Sequence, residues 1–473
     1  MGYSCISASE VRERINAADK TLNSCFDMLM DFRHGRDGLE KTIQDFQPTL
    51  AECLYELMQF YQELHREKGA LISIKTQFGK ETFSQLMKAN AQYLKVVSTT
   101  IEIGKNLGDA YVWFFFRNNR NELDKHFAHK STGLYVGGIG GRGELEFIKN
   151  SNSIDSLYVL YHGITTMLRI GDFSLFDSEH GIIGVGELKT KQVEDKLQIT
   201  ATITSKADIR LPMLSQEQKG SFEDRIKAAQ KDFPKLEKQL TVQSDLLRTK
   251  DAERSSDLYA SYEHDILNRL TQKSPVAVNS DHSLMIVAAW SKYDSLYDIL
   301  TVDEETQPLP DDFADKAKSL MIPESPHNKI FLGPLNVQVS LMSLPIAWWN
   351  IDEKLCRDLY FQKVRIETAF NPAKLLQFFI DDGFTVTSSN SLHKFQIHKD
   401  IGNQRISVEN FESICYLVTN SLMKTKDVYA FSKQVTNALE NGEYKSGSRI
   451  DMHIHLNNFG KEEKKWTNLK CTP

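Results

Sequence analysis

No two of the six cysteines (Cys5, Cys25, Cys53, Cys356, Cys415, Cys471) are spaced C-x-x-C. That argues against a zinc ribbon and against a disulfide scaffold, and it suits a reducing cytosol. The opening, MGYSCISASEVRERIN, has no apolar signal-peptide core, and Ile6 stands where a myristoylation motif needs Ser or Thr. The longest apolar run near the middle, Leu284 to Trp290, is far short of a bilayer span. A basic excess is also missing. The 57 Lys and Arg are outnumbered by 63 Asp and Glu, for a net charge of −6. No global field therefore draws the molecule to nucleic acid or acidic lipid, and any nucleic-acid site is a local patch. A cytoplasmic protein with no membrane partner is the expectation. A nucleotide loop is disfavoured as well. Gly138, Gly140 and Gly143 match G-x-G-x-x-G, but a short polar stretch follows where a long apolar helix is needed, and no Lys-Ser/Thr completes a P-loop.

What is present is the composition of a soluble globular protein, 41% hydrophobic and 25% charged. The length suits about three domains. Residues 1–130 read as helices, with an apolar 4-3-4 rhythm through Leu39, Ile43, Phe46, Leu50, Leu54, Leu57, Tyr61 and Leu64. Pro48 predicts two helices there. The run Tyr111–Phe116 is too apolar for a free surface and predicts docking on the next domain. Arg117, Arg120, Lys125, His126, His129 and Lys130 then form a candidate phosphate-backbone patch, or equally a solvated helix face. Residues 213–275 read as a helical-hairpin insertion, and the stripes over 39–64 and 222–270 predict self-association into a homo-oligomer. Leu284–Trp290 reads as a buried strand, taken with 280–350 as the other half of a mixed sheet begun at 134. Residues 351–473 read as a C-terminal α/β module, in which His453 and His455 lack a recognisable third metal ligand.

The stretch from Gly171 to Lys191, GDFSLFDSEHGIIGVGELKTK, carries the chemistry. Two apolar runs flank a five-residue turn ending in Gly181, as in a hairpin. Glu187 and Lys189 are two apart and project together, with Leu188 pointing the other way. A charged pair at the end of a buried strand is costly unless paired or bound to something. The hairpin can bring Asp172 beside Glu187, where the two charges repel, and a hard divalent cation removes that penalty. Lys191, Lys196, Lys206 and Arg210 add positive charge beside the motif, as a polyanion substrate favours. His162 and His180 lie near it and read as structural donors.

Asp, a hairpin, then Glu-x-Lys resembles the core of the PD-(D/E)XK nuclease superfamily, with Gly171 in place of the family's Pro. The resemblance covers a small part of the chain. It implies an α+β fold: a mixed-sheet nuclease-like core over 131–350, between the helical region and the C-terminal module. It implies Mg²⁺ or Mn²⁺ on Asp172 and Glu187, with Lys189 assisting water. It also implies an acidic residue on the helix before the core strands. Glu144 and Glu146 both qualify, Glu144 as a catalytic group and Glu146 as a metal ligand. The expected function is a metal-dependent endonuclease hydrolysing DNA, with RNA as second choice. Large helical additions resemble a restriction or phage-defence effector. The competing expectation is a non-enzymatic scaffold or sensor that binds a partner protein or nucleic acid.

Overall fold

The computed structural model describes residues 6–34, 39–116, Leu123, His126, most of 138–205, 263–301, 313–335, 345–388 and 395–401, and shorter stretches beyond. Arg117, Arg120, Lys125, His129, Lys130, His180, Lys206, Arg210, the insertion up to residue 262 and the His453-x-His455 pair lie outside the described residues. The chain divides into two compact units, Met1–Leu246 with Tyr293–Asp303, and Leu247–Lys292 with Glu304–Pro473.

The first unit begins with three long helices, α1 (Ala8–His34), α2 (Leu39–Ser73) and α3 (Lys80–Phe116). Helices α1 and α2 repeat apolar residues at three- and four-residue steps, so one face of each is buried, whereas α3 is buried all round from Leu107 to Phe116. In α1 that face is Val11, Ile15, Ala18, Leu22, Cys25 and Leu29. The α2 stripe of Ile43, Phe46, Leu50, Leu54, Leu57 and Leu64 is buried. Helices α1 and α3 pack against α2. The seam expected to join two copies is thus used inside one chain. Pro48 does not split α2, which is one helix through it. A helix-interior proline costs about 3 kcal/mol. Burying each of Ile43, Phe46 and Leu50 returns about 1.5–3 kcal/mol, which outweighs it. All six residues of Tyr111–Phe116 are buried. The Phe115 ring stacks on Tyr158 at 5.3 Å and meets the Phe176 edge at 5.2 Å, so this run docks α3 on the sheet of the same unit.

That sheet follows helix α4 (Ile139–Asn150). Its strands are β1 (Ser153–Ile154), β2 (Leu157–Tyr161), β3 (Phe173–Asp177), β4 (Gly181–Val193) and β5 (Lys196–Ser205). They lie in the order β1-β2-β3-β4-β5, each pair antiparallel. A mixed sheet was expected; among the described residues this one is an antiparallel meander. One edge is finished by a side chain. Gln47 of α2 donates to the Val159 carbonyl at 2.8 Å and accepts from the Tyr161 N–H at 2.9 Å. The short β1 reaches only Leu157 and Tyr158, so the Gln47 amide supplies the next rung of the ladder. Helix α5 (Leu296–Thr301) packs on α1 and α3.

The second unit holds two antiparallel sheets. One has the order β6 (Val276–Val278), β7 (Leu284–Trp290), β9 (Val364–Phe370), β8 (Phe331–Pro334). The other has the order β10 (Thr385–Ser388), β11 (Phe395–Ile401), β12 (Gln404–Val408), β14 (Trp466–Thr472), β13 (Arg449–Met452). Strand β7 was expected to complete the sheet begun at 134. Instead it pairs with β9 along its whole length, Leu284 opposite Phe370 and Trp290 opposite Val364. The reason is its apolar character on both faces, which fits a central strand of its own sheet. Met285, Val287 and Ala369 there pack with Phe313, Ala317 and Leu320. The boundary expected at 350 therefore falls inside one sheet. Ile266 and Leu270, expected in a second insertion helix, lie in or just after the 3-10 turn His264–Arg269. No helix among the described residues is long and apolar enough to cross a membrane.

Candidate functional site

Asp172 lies one residue ahead of β3, where the chain closes onto β4. Gly171 has φ +72°, and a Cβ there would meet the Gly186 carbonyl oxygen at 2.7 Å, so glycine alone fits the approach. The Asp172 N–H donates to that carbonyl at 2.8 Å. Its carboxylate Oδ2 accepts from the Leu188 N–H at 2.6 Å. Pairing between β3 and β4 ends at the Phe173–Gly186 rung. The Asp172 side chain thus takes the next N–H of β4 in place of a strand.

Phe173 fills the space over Gly186, where a Cβ would lie 2.0 Å from its ring. Gly186, Leu188 and Thr190 share that face. Helix α4 covers it: Gly143 sits so close to Thr190 that a Cβ would lie 2.0 Å from the hydroxyl. Glu187 and Lys189 project from the opposite face. Their side chains are 62% and 72% exposed, with Lys189 Nζ 3.6 Å from a Glu187 oxygen. The sequence pattern placed both charges at the end of a buried strand; only Leu188 between them is buried.

The structure separates the two helix candidates. Residues two apart on a helix point roughly 200° apart. Glu144 is half-buried and accepts from the Tyr161 hydroxyl at 2.7 Å. Burial raises its pKa and the Tyr161 hydrogen bond opposes this; the Asp172 charge raises it further, and Lys105 lowers it. Glu146 is exposed, near Lys149. Glu146 is therefore not placed with the other carboxylates, and its expected role as a metal ligand is withdrawn. Among the described residues no three His, Cys, Asp or Glu side chains converge as a ready-made metal site. Asp172 and Glu144 share one field, while Glu187 leans to Lys189.

Sequence reasoning missed the buried polar groups that hold the segment from 162 to 172, which delivers Asp172. Lys105 of α3 donates to the Gly163 carbonyl and, at 3.5 Å, to the Thr165 carbonyl. Burial lowers its pKa to about 8, opposed by Asp109 and Glu144. One turn on, the buried Asp109 accepts from the Thr165 hydroxyl, from the Thr166 N–H and hydroxyl at 2.7 and 2.6 Å, and from the Met167 N–H at 3.2 Å. Burial raises its pKa and those hydrogen bonds hold it down. His126 Nδ1 accepts from the Arg169 and Ile170 N–H groups at 2.9 and 3.1 Å. His162 places Nδ1 3.0 Å from the Gly171 carbonyl and Nε2 2.8 Å from the Ser174 hydroxyl. A neutral ring satisfies both, donating from Nδ1 and accepting at Nε2. Burial, with the His126 ring beside it, pushes its pKa down to about 3. The available signal was a Lys and an Asp at i and i+4 in the mostly apolar second half of α3. No family model, curated protein or solved structure matches the chain.

Proposed function

We propose that the chain is a divalent-metal-dependent phosphodiesterase acting on DNA, with Asp172, Glu187, Lys189 and Glu144 as its working groups. The seat of Asp172 carries this reading. Its carboxylate is fixed on the Leu188 N–H, between Glu187 and Lys189, and its charge reaches Glu144. The order of α4, β2, β3 and β4, with an acid on the helix and Glu-x-Lys on the last strand, supports the resemblance to PD-(D/E)XK nucleases.

The donor chemistry fits a hard cation: Asp172 and Glu187 supply carboxylate oxygens and no thiolate stands with them. Asp172 and Glu187 would hold Mg²⁺ or Mn²⁺, with Glu144, on the helix that covers the other face, acting through the Asp172 charge. Bound there, the ion supplies Lewis acidity for a phosphate and acidifies a water. The chain's own groups do the rest. The Leu188 N–H and the segment from 162 to 171 orient Asp172, and Tyr161 orients Glu144. The Lys189 ammonium, exposed beside Glu187, offsets charge developing on phosphate and positions water.

The second reading, a non-enzymatic scaffold or sensor, is favoured by one observation. Glu187 and Lys189 already pair with each other, and Asp172 with Leu188, without any ligand. Titrating Mg²⁺ or Mn²⁺ against linear and circular DNA separates the two. Metal-dependent cleavage that excess EDTA stops is expected. Cleavage unchanged by EDTA rejects the metal site, and no cleavage at any metal concentration transfers the assignment to the scaffold.

A further inference from the structure

Beyond Gly186, among the described residues, strand β4 pairs with no strand on the β3 side, where only the Asp172 carboxylate meets it, and it continues with β5. Glu187 to Val193 and Lys196 to Thr202 thus form a two-stranded ribbon. At about 3.3 Å per residue it extends roughly 20 Å from the proposed site. Opposite residues on an antiparallel pair share a face. One face pairs Leu188 with Ala201, Thr190 with Ile199 and Gln192 with Leu197. Helix α4 covers part of that side, as the Gly143–Thr190 contact shows. The other face pairs Glu187 with Thr202, Lys189 with Thr200, Lys191 with Gln198 and Val193 with Lys196. All eight of those residues are exposed.

Resting on the phosphodiesterase reading, we propose that this open ribbon face, through Lys191, Lys196 and Gln198 beyond the site, binds the phosphate backbone of double-stranded DNA and leads it to Asp172 and Glu187. Three lysines stand there against one glutamate, in a protein whose overall charge is −6. Such a local excess in an acidic molecule marks a place for a polyanion. The face is amphipathic in the required sense: lysines for phosphate, Thr and Gln hydroxyls and amides for phosphate oxygens, no bulky obstruction. It has no aromatic residue, so it offers no platform on which the bases of a single strand stack. A two-stranded ribbon fits the major groove of B-form DNA, whereas the deep, narrow groove of A-form RNA excludes it.

The test measures binding of a short blunt DNA duplex to the full chain in EDTA, where metal-dependent cutting is silent, across a salt series. Lys189 stays intact because it belongs to the proposed chemistry. Each lysine on phosphate contributes about 0.9 to the salt slope, so Lys191→Gln with Lys196→Gln lowers the slope by about 1.8. Between 50 and 200 mM salt the unmodified chain then loses about twelvefold more affinity than the double variant. Lys191→Arg with Lys196→Arg keeps the slope. Lys80→Gln with Lys88→Gln, which removes two exposed charges from α3, also leaves it unchanged. An unaltered slope in the Gln double variant, equal loss in the α3 pair, no duplex binding at all, or preference for single strands or duplex RNA each overturns the ribbon proposal. Cleavage is scored separately. A chain that cuts with the slope unaltered keeps the nuclease and loses the ribbon. A chain that binds through the ribbon and never cuts does the reverse.

Discussion

The carboxylate of Asp172 accepts the backbone N–H of Leu188 at 2.6 Å, and Leu188 is the residue between Glu187 and Lys189. One side chain therefore finishes the β3–β4 ladder and sits at the centre of the Glu-x-Lys motif. The arrangement also makes the site separable from the fold by mutation, because Glu187 and Lys189 point into solvent.

Glu187→Gln is expected to abolish metal-dependent DNA cleavage while leaving the unfolding midpoint unchanged. The amide is nearly isosteric but no longer anionic. Loss of such a group costs on the order of 3–4 kcal/mol of transition-state stabilisation, a hundredfold or more in rate. Lys189→Ala is expected to be less severe, since one exposed charge is removed. Initial rates on supercoiled DNA check both; a Glu187→Gln chain that cuts normally rejects the site.

Between the two helix carboxylates, Glu144→Gln is expected to lower cleavage at least tenfold, about 1.4 kcal/mol, and Glu146→Gln to leave it near the unmodified rate. The difference follows from burial and orientation, since Glu144 faces Tyr161 and Asp172 and Glu146 faces water. Equal effects in the same assay would show that neither residue acts at the site.

Gly108→Ala is expected to destabilise the first unit by about 3 kcal/mol or more, seen as a lower urea midpoint. Its Cβ would lie 1.9 Å from the Ile164 carbonyl oxygen, which is backbone and cannot swing away. Gly69→Ala, with open space around the Cβ, serves as the comparison and is expected to hold or raise stability. A Gly108→Ala midpoint equal to that of Gly69→Ala contradicts the close packing of α3 on residue 164.

Gln47→Ala is expected to cost about 2–4 kcal/mol. It leaves the Val159 carbonyl and the Tyr161 N–H without their partner in a dry interior, at about 1–3 kcal/mol each. Gln47→Glu is expected to be at least as harmful, because a carboxylate cannot donate to Val159 or to the Tyr158 hydroxyl. Chemical denaturation of both variants checks this.

The acid limb of stability is expected to depend on His162. Its folded pKa is about 3 against an ordinary 6.5. Between those values the unfolded chain binds a proton that the folded chain refuses, so stability falls as pH falls from 6.5 towards 3. The full difference corresponds to an effect on the order of 5 kcal/mol. The raised pKa values of Asp109 and Glu144 act the other way, because their folded forms gain protons first. Urea midpoints at pH 4 and pH 7 are expected to differ less in His162→Gln than in the unmodified chain. An identical difference in both would place the acid sensitivity elsewhere.

Much of the local structure was legible because it rests on period and local chemistry. The step of three and four in α2, the run Tyr111–Phe116 and the strand at 284–290 each declare themselves by which residues must leave water. The alternation across Glu187, Leu188 and Lys189 fixed which two side chains share a face. What it could not fix was whether that face is covered, so both charges were assigned to a buried strand end and turned out exposed. Pro48 shows the same limit: a local penalty of about 3 kcal/mol is legible, and the burial that outweighs it is not.

The sequence by itself determined the α+β composition, the hairpin that closes at Gly181, and the side-by-side display of Glu187 and Lys189, since these follow from neighbours a few residues apart. Only the tertiary structure decided that Glu144 rather than Glu146 turns to Tyr161 and feels the Asp172 charge, that strand 284–290 belongs with 364–370, and that Lys105, Asp109, His126 and His162 hold the approach to Asp172. Those outcomes depend on contacts between residues dozens of positions apart, where packing and the pairing of buried polar groups choose among partners that period alone leaves equivalent.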